Sequence, residues 1–279
     1  MKHRSTAYLF TTLLLSVAIL VSLFTSCSPN PSLDGDTIPV LSTTFPDLVA
    51  MEARPFDYEA SEKLSYNFDI PRPEVFIDNG NLCIREYSLP DDVFLETAIG
   101  GHLYGVDCGE FGGYIAFCPE ESFDPVMLCD KNCQGLIRVS TAERYGYEYY
   151  AITGLNHNFH MEGAVYLLTY SEEEKAWSAE VLAELGAQAD AFAYDEQSGL
   201  LYLSTYSRGL LCMNAEGEIT TLVDYSKYDK WFFTTVNSLV LLDGNIFLGV
   251  IDGVVRYSLD TKELTYFPLD YDTYWVEAD

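Results

Sequence analysis

One glycine-rich stretch of the sequence holds the residues best placed to do chemistry. Residues 98–113 contain His102, Asp107 and Glu110 among several glycines. Glycines let a backbone turn tightly or approach a ligand closely, and a glycoside hydrolase needs two carboxyl groups, one as acid and one as base or nucleophile. Asp107 and Glu110 are the best candidates for such a pair. Glycines inside strands usually mark bulges or turns, however, which favours a structural role for this stretch.

A second group of residues has the donor atoms of a metal site. His157, His160 and Glu162 offer three potential ligands within six residues, and His102 could join them. Their spacing matches no zinc signature, and loop histidines are more often solvated turn residues. The sequence therefore predicts no metal and no cofactor. It leaves His102, His157 and His160 as candidates for contact with another ligand.

Exposed aromatic side chains would give a ligand a surface on which to stack. Trp231 lies beside Phe232 and Phe233, and Trp275 lies beside Tyr274. Large aromatic rings offer such surfaces and often form the energetic centres of interfaces, but they also dominate protein cores. Core packing is the favoured explanation, and Trp231 and Trp275 remain candidates for ligand binding.

Several catalytic signatures are absent from the sequence. There is no Gly-x-Ser-x-Gly nucleophile elbow and no Asp-x-Asp-x-Asp-Gly calcium loop. The glycines form neither a Walker loop nor a dinucleotide fingerprint. These absences favour a binding function over catalysis.

Two similar segments near the C-terminus indicate which elements would position these residues. Residues 199–222 and 244–267 each contain a strand, a short turn, a glycine, a second strand, a polar turn and a third strand. A further strand precedes each segment, at 191–194 and at 238–242. Four strands per roughly 45 residues is the pattern of a β-propeller blade. The aligned pairs are Tyr202 with Phe247, Gly209 with Gly253, and Ile219 with Leu264.

Residues 246–257 resemble the repeat of regulator-type β-propellers, which occur in extracytoplasmic sensor regions and in many exported bacterial proteins. In that repeat, a strand ending in glycine leads through a glycine turn to an aliphatic strand that ends in Arg-Tyr. Residues 135–139 echo this pattern, and residues 164–169 do so more faintly. The resemblance implies a propeller fold and no catalytic residues. At roughly 40 residues per blade, residues 73–279 predict an all-β propeller of about five four-stranded antiparallel blades, with six possible.

Local patterns add detail to this prediction. Asn79-Gly80 lies between two β-type segments and predicts a hairpin, because a tight type I′ turn requires positive φ at both residues. Residues 172–186 fit a helix or a strand, and the repeat favours an outer blade strand with Val181 on its apolar face. Residues 270–277 could add a strand that closes the ring.

The N-terminus has the layout of a bacterial export signal. Residues 1–4 are basic, residues 5–26 carry no charge and are mostly apolar, and small residues precede Cys27. Residues 23–27 resemble the lipobox of bacterial lipoproteins, although Phe24 stands where that family prefers leucine. The resemblance implies cleavage before Cys27 and lipidation of its sulfur. An uncleaved transmembrane anchor is the alternative, because the apolar run is just long enough to span a bilayer.

The rest of the chain divides into a tether and one folded domain. Residues 27–72 begin with the expected lipidated cysteine and are rich in proline, which is typical of a linker. Without residues 1–26 the chain holds 43 acidic and 13 basic side chains, a net charge of −30. Such a surface repels nucleic acid and anionic head groups, so nucleic acid is not an expected partner. The hydrophobic fraction of 48% excludes a wholly disordered chain.

Six cysteines follow Cys27. Outside the cell, Cys129 and Cys133 could close a small loop through a disulfide. Cys83 and Cys212 lie in apolar strand patterns, where a buried thiol is equally plausible. The spacing does not fit a paired Cys-x-x-Cys zinc site.

Three functions fit these observations. The favoured one is an exported propeller, held at the outer face of the cell membrane by a lipid on Cys27, that binds a protein, peptide or glycan without catalysis. The alternative is a carbohydrate-active enzyme with Asp107 and Glu110 in the central funnel. The second alternative is an inhibitor or immunity-type lipoprotein whose acidic face covers a basic partner.

Overall fold

From residue 73 onward the chain forms antiparallel β-strands joined mostly by short turns. The computed structural model describes residues 73–86, 93–120, 124–139, 147–157, 160–206, 208–227, 236–250 and 253–268. Cys27, Trp231 and Trp275 lie outside these residues. The predicted signal peptide, the tether and the strand expected in residues 270–277 also lie outside them.

The first two strands form the hairpin that the sequence predicts. β1 (Pro73–Asp78) pairs with β2 (Asn81–Glu86). Asn79 and Gly80 connect them with φ angles of 48° and 77°. Two positive φ angles in a two-residue connection are what a type I′ turn requires, so the prediction is confirmed.

The other described strands form four sheets of four strands, which we call blades 1 to 4, and within each blade the strands lie in chain order. Blade 1 contains β3 (Val93–Glu96), β4 (His102–Asp107), β5 (Gly113–Cys118) and β6 (Val126–Cys129). Blade 2 contains β7 (Cys133–Arg138), β8 (Tyr147–His157), β9 (His160–Ser171) and β10 (Ala176–Glu184). Blade 3 contains β11 (Ala189–Asp195), β12 (Leu200–Thr205), β13 (Gly209–Met213) and β14 (Ile219–Val223). Blade 4 contains β15 (Ser238–Leu242), β16 (Asn245–Val250), β17 (Gly253–Ser258) and β18 (Leu264–Pro268). Two short 3-10 turns also occur: Gly109–Phe111 between β4 and β5, and Tyr225–Lys227 between β14 and β15.

The alignment of the two C-terminal repeats is confirmed, because blades 3 and 4 contain them strand for strand. The aligned residues take equivalent places: Tyr202 and Phe247 are third in β12 and β16, Gly209 and Gly253 begin β13 and β17, and Ile219 and Leu264 begin β14 and β18.

Consecutive blades pack against each other through buried apolar side chains. A separate core cluster joins blades 1 and 2, blades 2 and 3, blades 3 and 4, and blade 4 with the β1–β2 hairpin. The innermost strands contact one another in the order β3, β7, β11, β15 and β1. Burial of both sheet faces between neighbours is the arrangement of a propeller. The prediction of an all-β fold with a propeller-like arrangement of antiparallel blades is confirmed. Among the described residues four blades have four strands, and the β1–β2 hairpin occupies a fifth position.

Residues 172–186 contribute β10, the outer strand of blade 2, so the strand interpretation is confirmed. Val181 shares a strand face with Trp177 and Ala179, but it is 48% exposed there. The apolar face does not continue past Val181, because the pairing of β10 with β9 shifts by one residue between Val181 and Ala183, and Ala183 and Leu185 pack instead in the core between blades 2 and 3. Such a β-bulge interrupts the alternation of side chains between the two faces of a strand.

Residues 135–139 do not take the place that the propeller resemblance suggests. They form most of β7, the innermost strand of blade 2, whereas residues 253–258 form a third strand. Residues 164–169 do lie in a third strand, β9. Gly135 has a different role here, since a Cβ atom at this position would collide with the ring of Phe192 in β11. The glycine therefore permits close contact between the innermost strands of two blades.

Cys129 and Cys133 carry separate thiols and are not joined by a disulfide. Cys133 is buried against Gly105, where a Cβ atom would collide with its sulfur. Burial raises the pKa of Cys133 to about 12. Its thiol therefore stays protonated at neutral pH and is unreactive, because the thiolate is the reactive form.

The contact between Gly135 and Phe192 gives a test of the packing between blades 2 and 3. Gly135→Ala should lower the free energy of unfolding by about 1–3 kcal/mol, because the added methyl group must displace the ring. Chemical denaturation of the full chain measures this. The double variant Gly135→Ala/Phe192→Leu should lose less stability than the two single losses combined, and strict additivity would contradict the contact.

Candidate functional site

One edge of the blades collects the loops that carry most of the polar candidates. In a blade of four antiparallel strands, the connection between strands two and three and the connection that leaves strand four emerge at the same edge. The connections after β4, β6, β8, β10 and β12 are of this kind. We call their common surface the loop face. Side chains from successive connections on this face are joined by hydrogen bonds.

Asp107 ends β4 and is held firmly at the loop face. Its Oδ1 accepts a hydrogen bond from the backbone N–H of Gly109 at 2.8 Å, and its Oδ2 accepts one from Gln134 Nε2 at 2.6 Å. Gly109 has a φ of 58°, so glycine suits this turn. The carboxylate thus links blade 1 to the innermost strand of blade 2.

Glu110 joins the same loop to the β8–β9 hairpin of blade 2. Its Oε2 lies 2.9 Å from His157 Nδ1. Asn132, in the connection between the blades, donates a hydrogen bond from Nδ2 to the carbonyl of Gly109 at 2.7 Å. The side chains of Glu110 and His157 are both roughly half exposed, so the pair contributes at most about 1 kcal/mol of stability. Its main effect is to fix the relative position of two loops.

Glu162 organises a second polar group beside the hairpin. Lys131 Nζ lies 3.1 Å from Glu162 Oε2, and His160 Nε2 lies 3.6 Å from the same oxygen. The hydrogen bond to Glu162 raises the pKa of Lys131. The ammonium group therefore stays charged at neutral pH and neutralises part of this acidic edge.

Amide side chains continue the network from blade 2 to blade 3. Gln188 Nε2 donates to Gln134 Oε1 at 3.0 Å. Gln188 Oε1 accepts a hydrogen bond from the backbone N–H of Asn156 at 3.1 Å, and Asn156 Oδ1 accepts one from the backbone N–H of Gln188 at 3.3 Å. A continuous chain of hydrogen bonds therefore runs from Asp107 to Gln188 across three blades.

The structure brings together some of the residues that the sequence singled out. Glu110 meets His157, and His160 meets Glu162, all on the loop face. His102 lies elsewhere, because it begins β4 whereas Asp107 ends it. At about 3.3 Å per strand residue, the two are roughly 16 Å apart along the strand.

His102 lies at the opposite edge of blade 1. Its ring packs against Phe94, with 5.5 Å between the ring centroids. Within the part of the chain that the structure describes, no three His, Cys, Asp or Glu side chains are grouped so that they could hold a metal ion.

Sequence reasoning missed the amides of this network, Gln134, Gln188 and Asn156. Gln134 precedes Gly135, and Gln188 precedes Ala189, so each amide comes just before a small residue near the start of an innermost strand. This repeated pattern of an amide residue followed by a small residue was visible in the sequence. The hydrogen-bond partners were not, because they come from other blades.

The loop face also carries exposed apolar side chains. Phe111, in the loop after β4, is 87% exposed, and Tyr206, in the connection after β12, is 40% exposed. Exposed aromatic rings on loops are common anchors for ligands. Trp231 and Trp275 lie outside the described residues.

Asp190 is the most strongly perturbed carboxyl group of this edge. It belongs to β11, its carboxylate accepts a hydrogen bond from the backbone N–H of Tyr206, and burial raises its pKa to about 7. The buried ionised form is therefore unfavourable, and Asp190 is partly protonated at neutral pH.

Among the described residues, no helix has the length and apolar character needed to cross a membrane.

Comparison with known proteins gives matches to solved structures and none to families or curated sequences. No protein-family model matches the chain, and no curated protein matches its sequence. Among solved structures, the extracellular domain of a hybrid two-component system from Bacteroides thetaiotaomicron is 13% identical with a TM-score of 0.44, over 72% of this chain and 27% of that one. An auxiliary nutrient binding protein from the same species is 13% identical with a TM-score of 0.40, over 71% of this chain and 48% of that one. The tricorn protease is 12% identical with a TM-score of 0.37, over 67% of this chain and 23% of that one. The chain therefore spans less than half the length of each of these proteins.

The pKa of Asp190 predicts how stability changes with pH. Because the folded state raises this pKa from 3.8 to about 7, ionisation destabilises the fold increasingly as pH rises through that interval. The loss is at most about 4 kcal/mol, since one pKa unit corresponds to about 1.4 kcal/mol. Asp190→Asn should lose less stability than the wild type between pH 5 and pH 8, as measured by chemical denaturation.

Asp195, at the other end of β11, is the matched control for this measurement. The hydrogen bond from Ser198 lowers the pKa of Asp195, so its ionised form stabilises the fold at neutral pH. Asp195→Asn should therefore slightly lower stability at pH 8. If the free energy of unfolding falls equally with pH in Asp190→Asn and in the wild type, the burial of an ionisable Asp190 is contradicted.

Proposed function

We propose that this chain is an exported, lipid-anchored β-propeller that binds an extracytoplasmic protein, peptide or glycan at its loop face without catalysis. The observation that carries this proposal is the hydrogen-bond network that runs from Asp107 through Gln134 to Gln188. It holds polar side chains of three blades in fixed positions at one edge. A ligand that binds a preorganised surface does not have to order these side chains first.

The contacts of the two carboxylates favour binding over glycoside hydrolysis. A hydrolase needs one carboxyl group to protonate the leaving oxygen and a second to attack or to activate water. Both oxygens of Asp107 accept hydrogen bonds from the protein, and Glu110 faces His157. These partners give both side chains a role in joining loops.

A binding screen tests the proposed function. The mature chain would be offered to a panel of neutral oligosaccharides and a panel of peptides, with calorimetry on every hit and product analysis for hydrolysis. His157→Ala should weaken the binding of a hit about 3-fold to 10-fold, because it releases the Glu110 loop and removes a polar contact worth about 1 kcal/mol.

His102→Ala is the matched control, because it removes the same side chain from the opposite edge of blade 1. We expect its affinity to stay within about twofold of the wild type. Turnover of a bound oligosaccharide would favour the enzyme, and no binding from either panel would overturn a glycan or a peptide as the ligand.

Lipid anchoring rests on Cys27 and has its own test. Cells that express the full chain and are fed radiolabelled palmitate should label the wild-type protein, and Cys27→Ala should lose nearly all of the label. Cys108→Ala is the control, because Cys108 is an exposed cysteine of the folded domain, and it should label as the wild type does. An unlabelled wild type, or a labelled Cys27→Ala variant, would contradict lipidation at this residue.

A further inference from the structure

The innermost strands of blades 2 and 3 begin with the same irregularity. Each pairing with the next strand skips one residue, which is Gln134 in β7 and Asp190 in β11. The residues on either side stay paired: Cys133 with Thr153 and Gly135 with Ile152, Ala189 with Thr205 and Ala191 with Ser204. A β-bulge of this kind redirects the side chain of the extra residue, and bulges are frequent beside functional sites.

Blade 4 repeats this arrangement with Asn237. Ser238 pairs with Gly249, and the backbone N–H of Asn237 donates to the carbonyl of the same Gly249 at 2.9 Å. Two residues at the start of the innermost strand thus face one residue of the next strand. We call Gln134, Asp190 and Asn237 the bulge residues. All three have a carboxyl or carboxamide side chain, followed by a small residue.

The hydrogen-bonding capacity of the bulge residues is used to different extents. Gln134 contacts Asp107, Gln188 and the carbonyl of Gly154. Asp190 Oδ2 and Asn237 Nδ2 are buried and have no hydrogen-bond partner among the described residues. A buried polar atom without a partner is destabilising, so its persistence calls for an explanation.

The two unused atoms differ in what they need. Asp190 Oδ2 accepts a hydrogen bond when the carboxyl group is ionised and donates one when that oxygen is protonated, whereas Asn237 Nδ2 is always a donor. A hydroxyl group can both donate and accept, so it can satisfy either atom. β11 and β15, the innermost strands at whose starts they lie, are in contact. Both residues are partly exposed as a whole, and contact of the two buried atoms with a ligand requires a change of side-chain torsion that exposes them.

We propose that Asp190 and Asn237 form a subsite for the hydroxyl groups of a neutral saccharide at the loop face, an inference that rests on the proposed binding function. Tyr206 lies beside this subsite, since its backbone N–H donates to the carboxylate of Asp190. Its exposed ring offers an apolar surface on which the C–H face of a sugar stacks. The ring of Tyr206 would then contact the apolar C–H face of the sugar, and Asp190 and Asn237 would contact its hydroxyl groups.

Other ligand classes fit this position less well. A metal ion would need more ligands than Asp190 provides, and no group of three such ligands occurs among the described residues. A peptide backbone offers a donor and an acceptor, but it lacks the adjacent hydroxyl groups and the apolar ring face that a sugar presents together. Peptide binding is therefore an outcome that the test must separate from saccharide binding.

Calorimetry of the mature chain against a panel of neutral oligosaccharides and a panel of tripeptides tests the subsite. For the tightest oligosaccharide, Asp190→Ala and Asn237→Ala should each weaken binding about tenfold or more, the effect of removing a hydrogen bond to a desolvated group. Asp195→Ala and Asn245→Ala are the matched controls, because Asp195 ends β11 and Asn245 begins β16, both at the edge opposite the loop face. Each should bind within twofold of the wild type, and thermal melting verifies that all variants are folded.

A deoxy analogue of the same sugar gives a second measurement. Loss of the recognised hydroxyl group should weaken binding to the wild type and should have little further effect on Asp190→Ala, because the two changes remove one interaction. Equal losses in both proteins would overturn the subsite.

The remaining outcomes separate the subsite from the proposed function. If an oligosaccharide binds with wild-type affinity to both variants, the subsite is wrong and the binding function stands. If only tripeptides bind, the saccharide class is wrong and the binding function again stands. If neither panel binds, the subsite fails, and the proposed function fails for glycan and peptide ligands.

Discussion

The packing of each blade against the next is the constraint on which the rest of this structure depends. A four-stranded sheet with two apolar faces is not stable alone, and it becomes stable when neighbours cover both faces. The core clusters between successive blades provide that cover. Small residues such as Gly135 let the innermost strands approach closely enough for a ring such as Phe192 to fill the space between them. This packing fixes the register between neighbouring blades and therefore the relative positions of their loops.

The loop face follows from that packing. Asp107 meets Gln134, and Glu110 meets His157, because blades 1 and 2 are held in one register. Individually these exposed contacts contribute little to stability. Together they keep polar side chains in place, whereas the burial of Asp190 disfavours its ionised form and lowers stability as pH rises. Functional sites often retain such locally unfavourable groups.

Much of the architecture could be predicted from local sequence. Asn79-Gly80 specifies its turn through backbone preferences alone, and the aligned glycines of blades 3 and 4 mark equivalent turns. The site was harder to predict. Asp107 and Glu110 were identified because glycines surround them. His102 was grouped with them because it is close in sequence. It lies at the other end of β4, however, because an extended strand places its two ends far apart. The bulge at Val181 also escaped prediction, because it depends on pairing with β9.

The sequence by itself determined the class of fold, since alternation, turn residues and the repeat are local properties that each blade carries within its own segment. It also determined the strongly acidic character of the chain. Only the tertiary structure decided which polar residues meet. Glu110 and His157 are 47 positions apart, and Gln134 and Gln188 are 54 positions apart. Their contacts arise from the register between blades, which is a property of packed side chains and is encoded in no single segment.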